Sequence, residues 1–170
     1  MVQGHYVVVG DEGTVLSTIL GSCVAACLRD PVARVGGMNH FLLPGDEDEQ
    51  SESLKYGVNS MELLINGLLR IGASRGRLEA KLFGGAQVVR NLSDIGAKNA
   101  EFALRFLRAE GISCVGQSLG GDRARRVRYW PSSGRASQLL LEPGHAAIFK
   151  SETAKNSPAA PSDAGSLELF

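Results

Sequence analysis

Ser22-Cys23-Val24-Ala25-Ala26-Cys27-Leu28, Arg29-Asp30-Pro31-Val32-Ala33-Arg34 and Val35-Gly36-Gly37-Met38-Asn39-His40-Phe41-Leu42-Leu43-Pro44 follow one another without a break, and this stretch decides the fold. Two apolar runs of strand length flank a short segment opened by the turn residues Asp30-Pro31, which reads as a hairpin closed by Pro44. The hairpin lays Cys23 and His40 in one sheet. A thiol at the head of one strand and an imidazole on the next are candidates for nucleophile and base, because the thiolate is the attacking species in thiol chemistry.

Outward from the hairpin, His5 to Val9 reads as a strand ended by Gly10-Asp11. Gly45 to Ser53 is acidic and polar, with no apolar anchor, and is expected as an exposed loop. From Leu54 to Ile71 the apolar positions fall three and four apart, the spacing of an amphipathic helix that Gly72 stops. Leu78 to Phe83 reads as a strand running into Gly84-Gly85, which is expected as a tight turn or a close backbone approach. A second helix spans about 97–110 and ends at Gly111. Ile112 to Gly116, Val127 to Trp130 and Ser137 to Leu141 are further strands. This mixed order predicts an α+β fold in one domain, residues 1–150. Beyond Lys150 the composition turns to Ser, Ala, Pro, Asn and Asp, which predicts a disordered tail over 151–170 tipped by Leu167-Glu168-Leu169-Phe170.

Composition excludes several classes. Eighteen Lys and Arg balance eighteen Asp and Glu, so no global field draws the 170-residue chain to nucleic acid or anionic membrane. The cysteines Cys23, Cys27 and Cys114 are odd in number and share no repeated spacing, which argues for a reducing compartment. No second Cys/His pair completes a zinc site beside Cys23 and Cys27, so no metal is expected. Without a basic leader or a long apolar run, the expectation is a cytoplasmic protein with no membrane insertion.

Several words of the sequence resemble the CheD family of bacterial chemoreceptor glutamine deamidases. They are Leu20-Gly21-Ser22-Cys23-Val24-Ala25, Gly36-Gly37-Met38-Asn39-His40-Phe41-Leu42-Leu43-Pro44, Tyr56-Gly57-Val58-Asn59-Ser60-Met61 and Ala80-Lys81-Leu82-Phe83-Gly84-Gly85-Ala86. A weaker match runs from Gly120 to Val127. The resemblance implies a protein-glutamine glutaminase. Such an enzyme converts glutamines of methyl-accepting chemotaxis receptors to glutamate with release of ammonia, and needs no cofactor. It also implies a β-sandwich flanked by helices, similar to the catalytic domain of cytotoxic necrotizing factors, and a CheC-type phosphatase as a further partner.

Carried over by position, the resemblance makes Cys23 the nucleophile and His40 the base. The family's third member is a threonine six residues before the cysteine. Ser17 holds that position here, and Thr18 has the residue type one place later. Neighbouring residues of a strand face opposite ways, so only one can approach His40. On a regular strand Ser17 shares the face of Cys23, which favours Ser17 as the hydroxyl that orients the imidazole. Pairing with His40 is expected to raise the thiolate share of Cys23, and the small residues Gly21 and Ser22 offer backbone N–H groups for an oxyanion.

Two further features admit two readings each. Arg123, Arg125, Arg126 and Arg128 are either a solvated strand edge or a dock for acidic receptor helices. As a whole, the chain is either the cysteine deamidase or a non-catalytic chemotaxis adaptor that binds receptors or the phosphatase.

Overall fold

Val24, Ala26 and Leu28 pack into a core shared with two helices, whereas Ala25 and Cys27 pack into a core shared with a second sheet. A strand covered on both faces reads as an unbroken apolar run, which is why this one lacks polar alternation. The computed structural model describes residues 1–43, 50–88, 95–142 and 167–170. In chain order its elements are β1 (Tyr6–Val9), β2 (Leu16–Leu20), β3 (Val24–Asp30), β4 (Val35–Asn39), α1 (Gln50–Arg70), β5 (Glu79–Gly84), α2 (Ile95–Ala109), β6 (Ser113–Leu119), β7 (Arg125–Trp130), β8 (Arg135–Leu140) and β9 (Leu167–Leu169). A 3-10 turn, Arg75–Arg77, precedes β5.

The strands form a five-stranded sheet, β1-β4-β3-β5-β6, and a four-stranded sheet, β2-β7-β8-β9. The expected hairpin is β3 with β4, antiparallel, with Cys27 opposite Met38. An isolated bridge between Val24 and Phe41 carries the same register beyond β4. At the hairpin's far end the buried Asp30 accepts from Val32 N and Ala33 N of its own turn and from Ser74 N, and it pairs with Arg77 at 2.7 Å. That arrangement satisfies a carboxylate held out of water. β5 and β6 are parallel, and α2 makes the crossover between them.

Met61, Leu64, Ile65 and Leu68 of α1 and Phe102, Ala103, Phe106 and Leu107 of α2 cover one face of the larger sheet. Leu16, Leu20, Val127, Tyr129 and Ala136 of the smaller sheet cover the other. The order of layers is therefore helices, sheet, sheet, and the α+β expectation holds. No helix among the described residues is long and apolar enough to cross a membrane.

Three boundaries differ from expectation. β2 was not legible as a separate strand. α1 begins at Gln50, so 50–53 belongs to the helix, while 45–49 of the expected acidic loop lies outside the described residues. The tip of the expected tail is also not free. Leu167–Leu169 pairs antiparallel with β8, and Phe170 exchanges backbone hydrogen bonds with Ala136 and meets Phe83 edge-on at 5.5 Å. Backbone pairing along the open side of β8 and an aromatic contact in the inter-sheet core anchor these last residues. Residues 151–166 lie outside the described residues.

Candidate active site

The register places the two sequence-selected groups on one face of the sheet, with no hydrogen bond between Cys23 Sγ and His40 Nε2. With Val24 opposite Phe41, Ala25 stands opposite His40, and Cys23 is the next residue along on the same face. Residues so offset across an antiparallel pair are diagonal neighbours, within reach of long side chains. That face is the one turned toward the smaller sheet, where Cys23 is half-buried and His40 is 6% exposed.

Thr18, not Ser17, meets His40. Thr18 Oγ1 lies 2.9 Å from His40 Nδ1 and donates its own hydrogen to the Met1 carbonyl at 3.0 Å. A hydroxyl has one hydrogen, so Nδ1 must be the donor of its pair, and Nε2 is left as the basic nitrogen. Nε2 is buried and has no hydrogen-bond partner among the described residues. The expectation for Ser17 fails for two reasons. β2 presents Leu16, Thr18 and Leu20 inward and leaves Ser17 exposed. The strand then ends at Leu20, and the turn at Gly21-Ser22 carries the chain across to the other sheet, so parity counted from Cys23 does not reach Ser17.

The turn holding Cys23 is clamped through its carbonyls. Ala86 N donates to Gly21 O at 2.8 Å, Gly85 N to Cys23 O at 2.8 Å, and Asn99 Nδ2 to Ser22 O at 3.0 Å. The glycine pair Gly84-Gly85 at the end of β5 thus makes the close backbone approach expected of it. Gly84 has φ +112, and a Cβ there would overlap the Cys23 carbonyl oxygen. With their carbonyls fixed, the N–H groups of Gly21, Ser22 and Cys23 donate to no backbone acceptor among the described residues.

Asn99 is a site residue that sequence reasoning missed. Fully buried on α2, it also accepts from Leu43 N at 2.8 Å, tying the turn that carries Cys23 to the end of the His40 segment. Its signal was present: Asn99 lies three and four residues before Phe102 and Ala103, so a polar residue sits in phase with the buried stripe.

Burial sets the resting charge of the pair. It pushes the Cys23 thiol up to about 11 and holds the His40 imidazole down to about 4. At neutral pH the two are thiol and neutral imidazole, rather than the ion pair that adjacency alone suggests. Cys23 Sγ donates to the side-chain carbonyl oxygen of Gln3 at 3.6 Å.

The remaining candidates separate from the site. Cys27 is buried in the inter-sheet core, where desolvation raises its pKa, and Cys114 is exposed on β6. Arg125 is buried and donates to Ser118 O and Gly120 O, a structural role, while Arg123 pairs with Glu142 at 2.9 Å. Arg126 and Arg128 stay on the outer face of β7. On the far side of the nucleophile turn, a groove of about 550 Å³ runs between Ser22, Ala100, Leu104 and Leu119.

The CheD chemotactic sensory transduction family matches residues 42–138. A protein of Acidiphilium cryptum named "Probable chemoreceptor glutamine deamidase CheD" is 56% identical, across 100% of this chain and 92% of its own length. Proteins of the same name from Sinorhizobium medicae and Agrobacterium fabrum are 61% and 50% identical, across 83% and 100% of this chain and 79% and 94% of their own lengths.

Proposed function

The chain belongs to the CheD family, and on that premise we propose that it is a cysteine-dependent protein-glutamine deamidase acting on chemotaxis receptors. The observation that carries the reading is the hydrogen bond that His40 Nδ1 donates to Thr18 Oγ1, which leaves Nε2 the basic nitrogen of the ring.

A carboxamide is a weak electrophile, and the resting thiol is neutral, so deprotonation and attack are coupled. As Cys23 Sγ bonds to the glutamine Cδ, His40 Nε2 takes its proton. Negative charge gathers on the amide oxygen, where the free N–H groups of Ser22 and Cys23 supply donors fixed in advance by the clamped carbonyls. Imidazolium then gives its proton to the departing nitrogen, the C–N bond breaks, and ammonia leaves a thioester. Water, losing a proton to Nε2, adds to the thioester carbon. The C–S bond breaks, the thiol recovers its proton, and the substrate side chain is glutamate. Thr18 holds the tautomer throughout, the part a carboxylate plays in other triads.

The family resemblance also brings a CheC-type phosphatase as partner, a cytoplasmic setting and a fold like that of the cytotoxic necrotizing factor catalytic domain. The helix-sheet-sheet layering supports the last of these. The catalytic unit on this reading is 1–150, with the terminal strand closing its smaller sheet.

The test is peptide mass spectrometry of a chemoreceptor cytoplasmic fragment incubated with the protein and with Cys23→Ala. The reading expects a gain of about 1 Da at particular glutamines with the wild type and none with the variant. Equal conversion by both would remove Cys23 from the chemistry. Binding by both with conversion by neither would favour the adaptor.

A further inference from the structure

The nucleophile's hydrogen-bond partner is itself a glutamine carboxamide. Gln3 Oε1 lies 3.6 Å from Cys23 Sγ, and the electrophilic Cδ is one bond from that oxygen. We propose that Gln3 is a substrate of its own chain: Cys23 deamidates it, and position 3 of the working enzyme is glutamate. The proposal rests on the deamidase reading above and names a further substrate for the same site.

The segment is built to present this side chain. His5 N donates to Val2 O at 3.3 Å, which closes a four-residue turn with Gln3 at its second position. Gly4, with φ +83, holds the third position, the left-handed place that such a turn reserves for glycine. Both sides of the turn are anchored to residues of the site. Gly4 N donates to His40 O at 2.7 Å, and His40 N donates to His5 O at 3.0 Å. On the other side, the Met1 carbonyl takes the Thr18 hydroxyl hydrogen at 3.0 Å. The three residues assigned to the chemistry therefore all bond to the segment 1–5.

This presentation removes the main entropic cost of a bimolecular encounter, because reactant and nucleophile are already held together. Sγ bonds to Cδ of Gln3 while its proton passes to the unpartnered Nε2 of His40. The C–N bond then breaks, and the nitrogen leaves as ammonia with the proton from Nε2. Water hydrolyses the thioester, its proton passing through Nε2 back to sulfur.

The test is mass spectrometry of the peptide containing position 3, from full-length wild type and from Cys23→Ala produced in parallel. Thermal unfolding checks that the variant is folded. The same preparations are assayed on a receptor cytoplasmic fragment. The inference expects glutamate at position 3 in nearly all wild-type chains, a gain of about 1 Da, and glutamine in the variant. Isotope-labelled Cys23→Ala mixed with wild type should keep its glutamine, since the reaction is within one chain. Wild type that converts receptor glutamines but retains Gln3 overturns the inference and leaves the deamidase reading standing. Wild type that converts neither overturns both. Conversion of the labelled variant at the wild-type rate overturns the assignment to the chain's own Cys23.

Discussion

Thiol chemistry usually advertises itself through a depressed pKa, yet Cys23 is pushed up to about 11 and His40 held down to about 4, both by burial. On the proposed mechanism the pair stays quiet until a carboxamide arrives to share the proton transfer. Alkylation of Cys23 by iodoacetamide should be slow at pH 7 and rise steadily through pH 9. A plateau reached below pH 7 would reveal a standing thiolate and contradict the account. At this scale the sequence was informative about identity and weak about orientation. Cys23 and His40 were legible because a single hairpin carries both. The choice between Ser17 and Thr18 depends on where β2 stops, and Gly21-Ser22 gives no signal that the chain crosses between sheets there.

The turn that carries Cys23 is shaped by elements distant in sequence. Gly85 and Ala86 follow β5, Asn99 lies on α2, and each fixes a carbonyl of the turn that carries Cys23. Gly84→Ala should cost at least about 2 kcal/mol and abolish activity, because the left-handed backbone and the Cys23 carbonyl both exclude a side chain. Gly111→Ala is the control. It has φ +68 with open space around its Cβ position, so it should cost about 1 kcal/mol and leave activity intact. Denaturant unfolding and receptor deamidation of both variants check this. Asn99→Leu removes the donor to Ser22 and the acceptor from Leu43, and should cost roughly 2–3 kcal/mol in the same unfolding measurement. The helices and the hairpin were readable from periodicity and turn residues. β2 was not, because alternation over so short a segment, broken by Ser17 and Thr18, looks like loop until its partner β7 is known.

For the molecule as a whole, two buried groups govern the response to acid. His40 folds with a pKa near 4 against an ordinary value of 6.5, so between these the unfolded chain binds a proton that the native chain refuses. Stability should fall by roughly 2–3 kcal/mol as pH drops from 6.5 toward 4. Asp30 acts in a lower window. The Arg77 guanidinium holds its carboxyl below the ordinary value of 3.8, so its contribution is present above that pH and fades as pH falls further. Thermal melts across pH 3–7 should show His40→Gln losing the first slope and keeping the second, and an unchanged first slope would refute the buried neutral imidazole. The terminal strand belongs to this scale too. Composition marked 151–170 as a tail, but no local pattern reveals that its last residues pair with β8.

The constellation is a whole-molecule feature as well, since Cys23 and His40 come from one sheet and Thr18 from the other. The most direct measurement is kcat/KM for receptor deamidation by Thr18→Val beside Ser17→Ala. Loss of the hydroxyl that fixes the imidazole tautomer should lower the rate by about 100-fold in the first variant, while the second, altered only on the exposed face of β2, should stay within about twofold of wild type. The reverse order, or two unaffected variants, would contradict the site described here.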